Sequence, residues 1–399
     1  MKILRIDFET YGVLELGGQK AAGVYNYATH PLTEVLMLAY KLPGAKTVEL
    51  WQPHLGAIPD DLRAALLNPA VTVSAFNSTF ERYILQHILG IILPVSKFID
   101  PQASARYLSM PGDLDEVSTV LDLPKNLAKD KRGEALIKLF CEPQKDKKKK
   151  GEEQTYSRNN WETHPAEWEE FCNYCKQDVV AEEEVSRRME LLGALPLPPF
   201  ERQVWEFDQR VNDRGMPVDR DFVVKAYALA ERSKKEAKDK QNEITGLENA
   251  NSRDQVLPWL KARGYPFNTL RKETVDSVLG DPEVVLADEA RTVLKSRREA
   301  SSTSYTKLAA ILRQLSPDNR LRGQFIYMGS PRCGRWAGNA VQLHNMSRPD
   351  KVFEEMENLV AAREMIYKED YDGIKKRFGS VLLTVKNCIR TVFVAPVIE

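Results

Sequence analysis

KILRIDFET, residues 2–10, sets apolar Ile3, Ile6 and Phe8 in rough alternation with polar Arg5, Asp7 and Glu9. That alternation is the pattern of a strand, and a strand puts residues two apart on one face, so Asp7 and Glu9 stand side by side. Two adjacent carboxylates repel each other. Taken alone, D-x-E is explained well enough by a surface strand with both groups solvated. The pair gains meaning only from what lies further along the chain.

Residues 71–76, VTVSAF, form a β-branched run that reads as a buried strand, and NSTFERYILQHIL (77–89) follows it. There Phe80, Ile84, Leu85 and Ile88 fit one helix face, with Asn77 or Ser78 as the cap and Glu81 in the first turn. A carboxylate at that position is ordinarily a helix-dipole residue. The third segment, EWEEFCNYCKQDVVAEEEVSRRMELL (167–192), has a strong helical pattern, and Tyr174 and Asp178, four apart, share a face. Carboxylates delivered from three separated segments can converge on a pair of hard divalent cations.

Together these segments resemble the D-x-E, N-x-x-x-[D/E] and Y-x-x-x-D motifs of the DEDD-type 3′→5′ exonucleases, in the subclass that bears the tyrosine. Glu81 departs from the usual Asp, and FNSTFER (76–82) resembles the version in phage-type family A DNA polymerases. The resemblance implies an α/β, ribonuclease H-like domain, a mixed sheet flanked by helices. It also implies two Mg²⁺ ions, with Mn²⁺ able to substitute. Asp7 would bridge both metals, Glu9 and Asp178 would complete the shell of the first, and Glu81 would hold the second directly or through water. The Tyr174 hydroxyl would orient the attacking water toward the terminal phosphate, releasing one nucleoside monophosphate per cycle. Phe8 and Tyr11 are candidates to stack beside the terminal bases, with core packing as the ordinary alternative for Phe8.

The chain has 399 residues with 57 basic and 57 acidic side chains, so any contact with nucleic acid must come from local basic patches. Its length suggests two or three domains. No apolar run is long enough to span a membrane, and the N-terminus begins directly with a strand, which leaves no room for a signal peptide. Five cysteines do not make a disulfide framework in so long a chain. A reducing compartment is expected: the cytoplasm of a bacterial cell, or of a phage-infected one. Cys172 and Cys175 form C-x-x-C, but no second ligand pair accompanies them, and neither zinc nor redox chemistry is expected there.

Strand-like and helical runs alternate up to about Leu192, and the proline-rich GALPLPPF (193–200) marks a boundary. The expected divisions are residues 1–195 for the exonuclease domain, 196–316 for a helical thumb-like region and 317–399 for the start of a polymerase palm. KDKKKKGEE (145–153) reads as a solvated loop, although Lys147–Lys150 could brush a DNA backbone. VNDRGMPVD (211–219), NSRDQVLPWLKARGY (251–265) and SRREASSTSYTKL (296–308) follow one another as the thumb segments of family A polymerases do. CGRWAGNAVQLHNMSRP (333–349) is similar to that family's T-G-R-L-S-x-x-x-P-N-L-Q-N-I-P segment, with His344 replacing its Gln and Trp336–Ala337 and Met346–Ser347 also departing.

The nucleic-acid-binding candidates are accordingly Asn77, Lys307, Arg335, Gln342, His344 and Asn345, the last four offering donors for phosphates and minor-groove acceptors. No D-Y-S-x-I-E, K-x-x-x-N-x-x-Y-G or H-D-E is present, and Asp350, Asp370 and Asp372 are no substitute, so nucleotide addition is not expected from these residues alone. The favoured reading is a proofreading-type DNA exonuclease joined to a thumb and an incomplete palm. It is expected to act on single-stranded 3′ ends and to hold primer–template duplex, with a separate chain supplying palm and fingers as one partner the resemblance leaves open. The alternatives are an RNA-trimming enzyme of the ribonuclease D type and a non-catalytic DNA-binding subunit of a split polymerase.

Overall fold

A computed structural model describes residues 1–18, 20–124, 132–147, 153–300 and 304–395. It divides into two compact units, residues 1–215 with 321–342 and residues 216–320 with 343–399.

The first unit is built on one mixed sheet. Strands β1 (Lys2–Tyr11), β2 (Glu34–Lys41), β3 (Glu49–Trp51), β4 (Val71–Ser74) and β5 (Phe98–Ile99) lie in the order β3-β2-β1-β4-β5. β1 is antiparallel to β2 and parallel to β4, and β4 is parallel to β5. The alternation in β1 decides which side chains go where. Leu4, Ile6 and Phe8 enter one core with Ile84, Leu85, Leu62 and Leu66. From the other face, Met37 and Ala39 of β2 pack with Leu136, Phe140, Phe171, Tyr174 and Cys175. Asp7 and Glu9 point to this second face, because they are out of phase with Ile6 and Phe8. The register with β2 shifts between Glu9 and Thr10, a bulge that bends β1 just beyond the second carboxylate.

Helices α1 (Val24–Ala28), α2 (Asp60–Leu67), α3 (Thr79–His87), α4 (Pro101–Tyr107), α5 (Leu114–Val120), α6 (Arg132–Phe140), α7 (Pro165–Leu191) and α8 (Pro199–Arg214) complete this unit. The longest, α7, starts with Pro at its first position, where a missing N–H costs nothing. It buries Trp168, Phe171, Cys175, Val179, Glu182, Val185 and Met189, a stripe at helical spacing.

The contacts divide the chain elsewhere than at the expected 195/196 and 316/317. Helix α8 and the hairpin Phe325–Ser330/Arg335–Gly338 belong to the first unit. Two links hold them there. Arg82 of α3 grips Asp213 with both Nη atoms at 2.8 and 2.7 Å while the Tyr83 hydroxyl donates to the same carboxylate at 2.6 Å. The Asn212 amide exchanges two 3.0 Å hydrogen bonds with the Phe325 backbone. The turn at Gly215 (φ +65) passes so close to Leu321 that a Cβ would stand 2.8 Å from its carbonyl oxygen.

The second unit is mainly helical, from α9 (Arg220–Thr245) through α10 (Arg253–Lys261), α11 (Lys272–Gly280), α12 (Asp288–Ala300), α13 (Ser304–Gln314), α14 (Lys351–Glu354), α15 (Met356–Tyr367) and α16 (Tyr371–Phe378) to α17 (Val381–Cys388). Asp219 caps α9 by accepting from Phe222 N at 3.1 Å and also pairs with Arg363 and Tyr367 of α15. Val256, Leu260, Tyr265, Val275, Val278, Val293 and Leu294 form a separate core. No helix among the described residues is long and apolar enough to cross a membrane.

Candidate metal centre

On β1, the half-buried Asp7 and Glu9 meet two thiols. Cys175 Sγ of α7 lies 3.7 Å from Asp7 Oδ2 and 3.6 Å from the Asp7 carbonyl oxygen, and Cys141 Sγ lies 3.7 Å from Glu9 Oε2. Tyr174, the preceding residue on α7, donates its hydroxyl to Asp178 one turn on. Burial holds the Asp7 carboxyl well above the usual carboxylate range, and Asp178, Glu9 and Glu81 press it further in that order. Burial also raises the Tyr174 phenol, with Asp178, Glu9 and Asp7 adding to the effect. These mutual influences bring Asp7, Glu9, Glu81, Tyr174 and Asp178 into one electrostatic neighbourhood.

Glu81 is delivered from the opposite end of the β4–α3 connection. The chain enters α3 through Asn77 at φ 67, a left-handed conformation that Asn tolerates well. Neither Asn77 nor Ser78 supplies the expected side-chain cap. Asp100, at the end of β5, does so from outside, accepting from Asn77 N and Ser78 N at 3.0 Å each and from Ser78 Oγ at 3.1 Å, while also capping α4 through Gln102 N at 2.9 Å. Glu81 is only 4% exposed, and its Oε2 has no hydrogen-bond partner. A solvated helix-dipole carboxylate would look different. Its neighbour Arg82 is engaged with Asp213, and Glu81 faces Asp100, Glu182 and Glu9 instead. Burial and these three acids raise its pKa well above the ordinary value.

Four residues here stand outside the motifs that pointed to the metal centre. Glu182, one turn beyond Asp178, is buried, accepts from Ser74 and Ser186, and has its pKa pushed up to about 7 by burial. Asp100 and Cys175 are the second and third. Gly133 of α6 is the fourth: a Cβ there would stand 2.3 Å from the Tyr174 ring, so only glycine lets α6 lie against that tyrosine. Helical periodicity marks Cys175 and Glu182 as inward-facing, but nothing local says what they face.

Phe8 is a core residue, not a stacking surface, because β1 turns it toward Ile84 and Leu85. Tyr11 carries the Arg158 guanidinium 4.3 Å over its ring. The lysine run falls largely outside the described residues, as do residues 301–303 of the third thumb segment. In the first unit Arg335 and Gln342 are exposed, and in the second His344 and Asn345 are exposed and Lys307 is half-buried. Arg335 Nε donates to Cys333 Sγ at 3.1 Å. Trp336 beside it stacks on Phe207 of α8 at 6.4 Å between centroids, both rings about half exposed. Arg297 is bonded to the carbonyls of Ala250 and Asn251, and Arg298 is forked onto Asp276. Asp350 is bonded to Asn387 and Asp370 caps α16, so both serve structure.

The donor set fits divalent cations. It offers carboxylate oxygens from β1, α3 and α7, and a fully desolvated oxygen on Glu81 that hydrogen bonding leaves unused. Buried charge of this kind is retained when a counter-charge satisfies it.

No protein-family model matches the chain. The DNA polymerase of Bacillus phage SP02 is 33% identical over 396 residues, which cover 99% of this chain and 58% of that protein. The polymerase domain of Pol1 from M. smegmatis, solved in complex with DNA primer-template and dNTP, superposes with a TM-score of 0.54 at 12% identity, covering 87% of this chain and 52% of that one. The first likeness is one of sequence along nearly the whole chain. The second is one of fold.

Proposed function

We propose that the chain is a relative of the phage-type family A DNA polymerases and that its first unit is a metal-dependent 3′→5′ DNA exonuclease of the proofreading type. The observation that carries this reading is the convergence of Asp7, Glu9, Glu81, Tyr174 and Asp178 from three distant segments, with a Glu81 oxygen buried and unpartnered among them. A mixed five-stranded sheet flanked by helices supports the ribonuclease H-like assignment of this unit.

Asp7, Glu9, Glu81 and Asp178 would hold two Mg²⁺ ions, which when bound supply Lewis-acid activation of water and neutralise charge on the phosphate. The residues have their own tasks. Tyr174, kept protonated by burial and by its acidic neighbours, presents a hydroxyl fixed by Asp178, by the close approach of Gly133 and by its place in the Phe140–Phe171 core. That fixed hydroxyl orients a nucleophilic water along one line. Glu81, on the helix whose entry Asp100 fixes, brings its carboxylate to Asp100, Glu182 and Glu9. Arg335, Gln342, His344, Asn345 and Lys307 are proposed to hold the phosphates and minor groove of primer–template duplex.

The test is degradation of a 3′-terminal single strand, as matched DNA and RNA oligonucleotides, with Mg²⁺ or Mn²⁺ restored after chelation. Single-stranded DNA should be shortened from its 3′ end faster than a paired end. Asp7→Ala should lower the rate by orders of magnitude, and Tyr174→Phe should leave a slow but measurable enzyme. Full activity in Asp7→Ala would remove the site assignment, and faster cleavage of RNA would favour the ribonuclease D-type reading.

A further inference from the structure

The exposed residues of α8 after Pro199 are Phe200, Gln203, Phe207, Arg210 and Arg214. Their spacing alternates between three and four, so they form one stripe along the helix. Helix α8 also carries four acidic side chains, and none of them lies on that stripe. Glu201 accepts from the Tyr327 hydroxyl at 2.8 Å, Glu206 pairs with Arg202 at 2.8 Å, Asp208 is buried, and Asp213 is gripped by Arg82 and Tyr83. The face turned to water is therefore aromatic and cationic, although the helix holds more acids than arginines. The hairpin continues this character, because residues 321–342 contain three arginines and no acidic residue. Just after its turn, Trp336 stacks on Phe207 with the ring planes 28° apart, and the two rings stay 45% and 51% exposed. Single exposed apolar residues are ordinary on a protein surface, but a stacked aromatic pair set in a band of arginines has the composition of a site for unpaired bases.

We propose that the Phe207–Trp336 pair is a stacking platform for an unpaired base of single-stranded DNA, with Arg210 and Arg214 of the α8 stripe holding the adjoining phosphates. The inference rests on the reading of the chain as acting on DNA, and not on the carboxylate cluster. Every base has a π face, so such a platform takes any sequence, whereas bases in a duplex already stack on their neighbours and offer only their edges. Positive charge along the stripe matches a phosphodiester strand rather than an apolar protein segment. Arg210 is 61% exposed and stands 3.7 Å from Glu206, and an exposed pair of that kind is weak enough for a phosphate to replace the carboxylate. Alternation along Arg335–Gly338 sends Arg335 to the face opposite Trp336, so the platform and the proposed duplex contact of Arg335 are separate. Trp336 stands where the segment it resembles has Leu, so the aromatic pair is not part of that segment's pattern. The platform gives the first unit a hold on an unpaired strand that requires no metal and no particular sequence.

The experiment uses the full chain with a chelator present, so that no strand is cut. Fluorescein-labelled oligothymidylate is titrated by anisotropy alongside a blunt duplex of mixed sequence. Trp336→Ala and Phe207→Ala should each weaken oligothymidylate binding roughly tenfold. The double variant should lose little more than either single one, because the rings act as one platform. Trp336→Phe and Phe207→Tyr should keep the affinity, and Arg210→Gln should reduce the slope of log affinity against log salt by about 0.7. Duplex affinity should be the same in both alanine variants, with thermal melting to show that they are folded. Folded alanine variants that bind oligothymidylate like the parent, or that lose duplex affinity equally, overturn the proposal. So does full affinity in Trp336→Leu, which would make the pair an apolar docking face for a protein. Absence of ring-dependent binding overturns this proposal whether or not the chain degrades DNA, and ring-dependent binding in a chain that degrades none overturns the exonuclease reading alone.

Discussion

Glu81 keeps a carboxylate in a place where burial and three other acids oppose its charge. That arrangement favours binding a cation and disfavours the empty fold. Glu81→Gln removes the charge at nearly constant shape, so it should raise the melting temperature of the metal-free protein at neutral pH while suppressing turnover. A melting temperature that falls while kinetics stay unchanged would return Glu81 to an ordinary helix residue. Glu182 gives a pH-dependent counterpart. Burial pushes its pKa from 4.5 up to about 7 against the pull of Arg5 and Ser74. The folded state thus binds this proton more tightly than the unfolded chain. The resulting stability is fully present below about pH 4.5 and is lost as pH rises to about 7, amounting to about 3 kcal/mol. Glu182→Gln should flatten that decline. Parallel melting-temperature profiles of the two proteins between these pH values would mean another group is responsible.

At the level of elements, the cluster depends on how three pieces are held rather than on any one of them. β1 contributes a rigid pair because its other face is locked into the core by Leu4, Ile6 and Phe8. Helix α3 is placed at one end by Asp100 and fixed laterally to α8 by Arg82 and Tyr83. Helix α7 is pressed down by α6, whose closest approach is Gly133 over the Tyr174 ring. Gly133→Ala should therefore push that ring aside, because a packed interior has no room for a methyl group at this separation. The expected outcome is a rate no better than that of Tyr174→Phe, with Mn²⁺ binding retained, since no carboxylate is touched. An alanine variant with wild-type rate would show that the tyrosine position does not limit the reaction.

For the whole molecule, the prediction concerns the 399 residues acting together on primer–template DNA. Binding should weaken steeply with salt, and Arg335→Ala should reduce the slope of log affinity against log salt by about one, with little dependence on base sequence. Template-directed extension with all four deoxynucleotides should be absent, because Asp350 and Asp370 are committed to hydrogen bonds that hold the second unit. Extension by this chain would require a palm site built from other carboxylates. Titrations at several salt concentrations and a primer-extension assay check both statements.

Much of the molecule was written locally. Period-two alternation places Asp7 and Glu9 on the face opposite Phe8, and period-three-to-four spacing gives α7 with Tyr174 and Asp178 one turn apart. The Pro-rich stretch at 193–200 announced a break in the pattern, because proline interrupts helices whatever surrounds it. The same periodicities could not say that α8 returns to the first unit, that Asp100 rather than Asn77 or Ser78 caps α3, or that Arg297 and Arg298 are bonded internally. Nor could they show that Glu81 is desolvated or that Cys175 meets Asp7 across 168 residues of chain. Periodicity depends on bonds between near neighbours, so it is legible one segment at a time. Burial, capping from a distance and the meeting of a thiol with a carboxylate depend on which surfaces pack together, and that is set only when the whole chain has folded.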